Sequence, residues 1–73
     1  MRVLRAGYSG SDVTLWQQFL VGQEFLHVPV TGVYDADTIQ ATKDFQQFYD
    51  LDVDGTAGTF TQGQAMALGF PLL

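Results

Sequence analysis

The sequence predicts a small all-α domain, a three-helix bundle whose helices are joined through two glycine turns. Three observations predict it. Apolar residues recur at helical spacing in three separate segments, polar residues suited to helix starts stand just ahead of them, and one turn-to-helix pattern occurs twice. The 73 residues make a single domain spanning 1–73. A chain this short buries only about 60% of the surface its unfolded form exposes. Its 47% hydrophobic content, including six Phe, three Tyr and one Trp, supplies an efficient core without any Cys to form a disulfide or thiolate site.

The first helix is expected over residues 11–22. Val13, Trp16, Phe19 and Leu20 fall on one face, Ser11 is placed to cap the first turn, and Asp12 suits the positive end of the helix dipole. Gly22 marks its stop. The following apolar stretch, Phe25 to Val30, contains Pro29, which removes a backbone donor, so it reads as an extended loop. The second helix, over residues 35–49, turns Ile39, Thr42, Phe45 and one of Phe48 or Tyr49 inward and leaves Gln40, Lys43, Asp44 and Gln47 in water. Asp35 and Asp37 supply its acidic start. The third, over residues 59–68, opens with Thr59 and Gln62 at the spacing of a reciprocal capping box. Gly63 weakens it by about 1 kcal/mol relative to alanine, and Gly69 and Pro71 end it. The expected core comprises Leu4, Val13, Trp16, Leu20, Phe45, Leu51 and Met66.

The repeated pattern has a spacing of 23 residues: Val30 to Thr38 aligns with Val53 to Thr61. Each copy places a glycine, Gly32 or Gly55, in a turn that calls for positive φ. Each follows it six residues later with a threonine, Thr38 or Thr61, whose hydroxyl can bond back to the turn. The pattern is too short for a solenoid and reads as two equivalent helix starts within one bundle.

An ordered set of short motifs then runs along the chain. It begins with Leu4 and Arg5, Gly7, Gly10, Val13, the Trp16-Gln17 pair and Leu20. Gly32, Thr38, Ala41 and Phe45-Gln46 follow, and Leu51, Asp54-Gly55, Gly58 and Thr61 close it. In this order the set resembles the peptidoglycan-binding domain family, the accessory module of bacterial and phage cell-wall hydrolases, from Leu4 to Leu68. Trp16 stands where the family has an aliphatic residue, Thr42 where it has Val, and the loop from Gln23 to Val30 is long and apolar. The resemblance implies a monomeric, non-catalytic three-helix module that tethers a hydrolase to peptidoglycan, through stem peptide or glycan, at the cell wall, in the periplasm or outside the cell. It implies no cofactor. The N-terminal stretch has no apolar run of a signal peptide, which fits the first module of a phage lysin or a fragment of a longer protein. The alternative is a protein-interaction or pro-segment domain that reuses the fold; the cysteine with which a metalloprotease prodomain silences zinc is missing here.

Charge and chemistry narrow the field. The formal charge is −5, with only Arg2, Arg5 and Lys43 as cations, too few and too scattered for a nucleic-acid stripe or a polybasic membrane anchor. No apolar run approaches the roughly 20 residues of a membrane span. The segment from Asp50 to Gly55 matches the first half of a calcium-binding loop, yet its twelfth position is Thr61, which lacks the bidentate carboxylate such a loop requires. His27 is the only histidine and has no ligand set for zinc. No nucleophile elbow accompanies Ser9 or Ser11, and a chain of this size leaves little room for a catalytic sugar cleft. No metal site or catalytic residue is therefore expected. Gln17 and Gln46 read as ties between a helix and its neighbouring loop, and Trp16 and Tyr34 as core. The ligand-contacting residues expected are Asp54, Thr56, Phe60 and Tyr49. They stand beside the start of the third helix, where free N–H groups favour an anion and neighbouring aspartates favour an ammonium or an amide. For Asp54 the competing role is a cap of its own turn.

Overall fold

The computed structural model describes residues 2–71 and contains three helices: α1, Ser11–Gly22; α2, Ala36–Phe48; and α3, Thr59–Ala67. Among the described residues the only β pairing is two isolated bridges, Leu4 with Ala57 and Ser9 with Val33. The N-terminal segment thereby stitches both glycine turns to one another. Tyr8 accepts from the Tyr34 N–H at 2.7 Å, and Leu4 and Ala57 exchange backbone bonds of 3.1 and 2.8 Å.

The helix starts depart from expectation in two of three cases. Asp35 caps α2, its carboxylate accepting from the Thr38 N–H at 3.0 Å. Ser11, however, is the first helical residue of α1; Gly10 holds the cap position without a side-chain bond, and Asp12 accepts from the Val13 N–H instead. Thr59 and Gln62 form no capping box. Gly58 is the cap of α3, and the Gln62 amide points inward to the carbonyls of Arg2 and Ala57 at 2.8 and 2.6 Å. The inward pull of two carbonyls, that of Ala57 buried and that of Arg2 partly so, wins over the local reciprocal bond.

All three helices end alike. Beyond α1 the Phe25 N–H reaches the Leu20 carbonyl and the Glu24 N–H reaches Val21. Beyond α2 the pairs are Leu51 to Gln46 and Asp50 to Gln47, and beyond α3 Phe70 to Ala65 and Gly69 to Met66. Each closure needs one residue in the left-handed region: Glu24 at φ 67°, Asp50 at φ 59° and Gly69 at φ 104°. Each then throws a hydrophobic residue, Phe25, Leu51 or Phe70, back onto the bundle.

The core gathers Leu4, Val13, Trp16, Leu20, Leu26, Tyr34, Phe45, Ala57, Ala65 and Phe70. Trp16 meets Phe45 and Phe70 edge-on, with centroids 5.7 and 5.3 Å apart. Leu51 is half-buried at the margin, and Met66 is 40% exposed; Phe70, folded back by the closure of α3, occupies the core in its stead. Of the two candidates at the end of α2, Tyr49 packs on Phe45 at 4.9 Å while Phe48 is 71% exposed. Ile39 is half-buried against the core.

Candidate functional site

Both glycine turns are held by a buried glutamine, and the two arrangements share three equivalent bonds. Gln17, on α1, donates to the Val33 carbonyl and the Thr38 hydroxyl at 2.8 Å each and accepts from the Gly32 N–H at 2.9 Å. Gln46, on α2, donates to the Thr56 carbonyl and the Thr61 hydroxyl at 3.0 Å each and accepts from the Gly55 N–H at 2.9 Å. A glutamine amide has two donors and one acceptor oxygen, which suits it to a turn whose N–H and C=O groups both point inward. The structural role read for these two residues is therefore what the fold uses them for. Of the threonines, Thr38 bonds back to Asp35 at the start of α2, whereas Thr61 meets its turn only through the Gln46 amide and makes no direct bond to it. Glycine is obligatory at Gly55: φ is 78°, and an added Cβ would lie 2.9 Å from Ile39 Cγ2 and 3.2 Å from Lys43 Cε.

A groove lies beside the second turn. This groove, of about 300 Å³, is lined by Asp50, Leu51, Asp52, Asp54, Thr56, Gly58, Thr59, Phe60 and Thr61. Of the four residues singled out in the sequence, Asp54, Thr56 and Phe60 come together on it. Tyr49 does not line it; its ring is drawn against Phe45 and Phe48. Sequence reasoning passed over Asp50, Leu51, Asp52, Gly58, Thr59 and Thr61 as lining residues. The signal for them was the turn itself, since a loop that reverses from α2 into α3 must wrap its own flanks around the space it leaves.

Asp54 also works within its turn. Its Oδ1 accepts from the Thr56 N–H at 2.9 Å and from the Gln46 amide at 2.8 Å, and these bonds hold its carboxyl below the usual carboxylate range. The turn-capping role is thus occupied by one oxygen, and Oδ2 has no partner among the described residues. Phe60 is 84% exposed at the first turn of α3. An aromatic ring so displayed beside hydroxyls and carboxylates offers an apolar face to a sugar ring or peptide.

Elsewhere the polar groups are spent internally. Burial pushes the Tyr34 phenol up to about 12, and no buried side-chain N or O lacks a partner among the described residues. Asp35 is raised by its own partial burial but more strongly lowered by bonds from the Thr38 N–H, the Thr38 hydroxyl and Thr31, and the balance lies below the usual range. His27 is exposed in the loop after α1. Among the described residues no group of three or more His, Asp or Glu side chains is placed to hold a metal ion.

Comparison with known proteins adds relatives to this geometry. The peptidoglycan binding domain family matches residues 9–64. The N-terminal domain of SleB is 34% identical with a TM-score of 0.89, and the match covers 92% of each chain. A Burkholderia AP3 phage endolysin is 30% identical with a TM-score of 0.85, over 90% of this chain and 25% of that one. A peptidoglycan-binding protein from Clostridioides difficile, solved in complex with glutamine hydroxamate, is 30% identical with a TM-score of 0.86, over 92% of this chain and 42% of that one. The chain thus spans about a quarter of the endolysin and about two-fifths of the Clostridioides difficile protein. No curated protein has a matching sequence.

Proposed function

The chain belongs to the peptidoglycan binding domain family, and from that premise we propose that it binds peptidoglycan stem peptide through the groove between α2 and α3 and performs no reaction itself. The observation that supports the location is the pairing of an 84% exposed Phe60 with a turn held rigid by Gln46. Rigid turns position ligand groups at low entropic cost, and an exposed aromatic gives the contact its apolar area. The rim is acidic, through Asp50, Asp52 and Asp54, with no cationic side chain among the described residues that line it. It therefore selects an ammonium-bearing or amidated stem peptide over a purely anionic one. Attached to a hydrolase, such a module holds the enzyme at the cell wall, in the periplasm or outside the cell. The module works as a monomer. No helix among the described residues is long and apolar enough to cross a membrane.

Sedimentation with purified sacculi, set against chitin and cellulose, tests this reading. Retention on sacculi alone is expected, lost in Asp54→Ala and Phe60→Ala while helicity persists. Equal retention on all three polymers, or none on sacculi, would favour a protein-interaction domain instead. A double variant that still sediments like the parent would move the site out of the groove, towards the apolar loop around Phe25 and His27.

A further inference from the structure

The two turns differ at one position that the fold does not explain. Ahead of α2 stands Asp35, whose Oδ1 accepts from both the Thr38 N–H, at 3.0 Å, and the Thr38 hydroxyl, at 2.8 Å. The equivalent position ahead of α3 is Gly58, and that helix begins with no side-chain cap. The backbone does not ask for glycine there. Gly58 has φ −89° and ψ −167°, close to the −93° and −175° of Asp35 and open to any residue. Nor does packing, because a Cβ built on Gly58 meets no heavy atom within 4 Å. A capping side chain would stabilise the helix, yet the position is bare, and it lines the groove.

Thr61 supplies an independent observation. It is 5% exposed, lines the groove, and accepts from the Gln46 amide at 3.0 Å, as Thr38 accepts from Gln17. A hydroxyl has one proton to give. Thr38 gives its proton to Asp35; Thr61 donates to no acceptor among the described residues. A nearly buried donor and the uncapped N–H groups of the first turn of α3 thus converge on the place that a carboxylate fills in the first turn.

We propose that the ligand supplies this missing cap: a carboxylate of the bound peptide docks against Thr61 and the start of α3, where Asp35 sits in the other turn. The inference rests on the groove being the binding site and names the group that enters it. Asp50, Asp52 and Asp54 rim the same groove, so a lone carboxylate is repelled. The group that suits both halves of the site has an ammonium beside its carboxylate, the α-amino-acid end that an unlinked diamino acid presents on a stem peptide. Gly58 is then a specificity-determining residue, kept bare so that the ligand and not the chain caps α3.

Gly58→Asp and its neutral counterpart Gly58→Ser separate this from a structural role, because they should move stability and binding in opposite directions. The melting temperature should rise by about 2–5 °C, from the added cap and the lost glycine flexibility. Sacculus binding should weaken by about tenfold or more, the loss of one charge-assisted hydrogen bond. In the parent, diaminopimelate should shift the amide resonances of Phe60 and Thr61, whereas pimelate and cadaverine, which keep only the carboxylates or only the amines, should not. Capped variants that bind sacculi like the parent would overturn the inference, as would pimelate moving the amides as far as diaminopimelate does. Loss of binding in Asp54→Ala and Phe60→Ala alongside full binding by the capped variants would leave the groove standing and remove the cap. Full binding by all four would remove both.

Discussion

Replacing Gln46 with leucine preserves volume and deletes the polar hub of the second turn, and the twin substitution Gln17→Leu does the same at the first. Their costs should differ. Gly55 is buried and its N–H has no partner but Gln46 among the described residues, so Gln46→Leu strands a donor that water cannot easily reach. It also removes the bond to the Asp54 carboxylate. A stranded buried donor costs about 1–3 kcal/mol, and the lost bonds raise the sum to about 2–4 kcal/mol. Gly32 is only half-buried, and Thr38 keeps its bond to Asp35, so Gln17→Leu should cost about 1–2 kcal/mol. Against a total of about 4–11 kcal/mol for a chain of this length, the Gln46 variant is folded but fragile. At about 4–8 °C per kcal/mol, thermal melts followed by circular dichroism should fall by about 8–32 °C for Gln46→Leu and by about half that for Gln17→Leu. Equal falls, or a Gln46 variant melting within about 3 °C of the parent, would refute the argument that burial of the turn N–H sets the cost.

Thr42→Val restores the residue usual in the family, yet it should cost about 1–3 kcal/mol because it strands the Trp16 indole N–H; a double-mutant cycle with Trp16→Phe should show coupling, and strict additivity would refute it. Glu24→Gly should stabilise by about 0.5–1 kcal/mol, relieving a non-glycine residue at φ 67°; a denaturant midpoint that falls would show that the Glu24 side chain contributes more than its backbone costs. The carboxyls of Asp12, Asp35 and Asp54 lie below the usual range when folded, so the stability they add is complete above the ordinary aspartate value near 3.9 and is lost as pH falls through their lower folded values. Melting temperatures should therefore decline below about pH 4, and Asp54→Asn should flatten that decline; an unchanged slope would mean that its bonds to Thr56 and Gln46 do not persist in solution.

The helices were legible because their apolar spacing is strong, and the second helix start was legible because Asp35 caps it locally. Ser11 and Thr59 misled for a shared reason. A residue of capping type next to a glycine can sit at the cap or one place inside it, and only the tertiary course of the preceding chain decides. Here Gly10 and Gly58 take the turn, and each polar residue becomes the first of its helix. Met66 and Phe70 exchanged roles because the closure of α3 depends on Gly69 reversing the chain, a long-range consequence that helical periodicity does not contain. The pairing of Gly32 with Thr38 and of Gly55 with Thr61 was visible as a repeat, while the glutamines that complete each clamp lie on the preceding helix, outside the repeated segment. That Asp54, Thr56 and Phe60 would lie together was legible from their place beside a helix start. Tyr49 was not separable from them, since nearness in sequence says nothing about which way the end of a helix turns a ring.

Two departures from the family pattern, Trp16 and Thr42, prove to be one. The indole N–H of Trp16 lies 3.0 Å from Thr42 Oγ1, and the Tyr34 hydroxyl lies 2.8 Å from both Thr42 Oγ1 and the Gly55 carbonyl. A carbonyl only accepts and an indole only donates. One assignment therefore satisfies every group: Trp16 donates to Thr42, Thr42 to Tyr34, and Tyr34 to Gly55. An indole buried in place of an aliphatic residue needs an acceptor, and threonine is nearly isosteric with the valine it replaces while supplying one. The same chain of bonds begins on α1, crosses α2 and ends on the carbonyl of the glycine that shapes the groove, while Tyr34 belongs to the first turn. The turn that presents Asp54 and Phe60 is thus fixed from both sides, by Gln46 at its N–H groups and by the Trp16–Thr42–Tyr34 relay at the Gly55 carbonyl. Core substitutions that break the relay should loosen the groove before they unfold the bundle, because the relay's last member, Gly55, lies in the chain between the groove-lining Asp54 and Thr56.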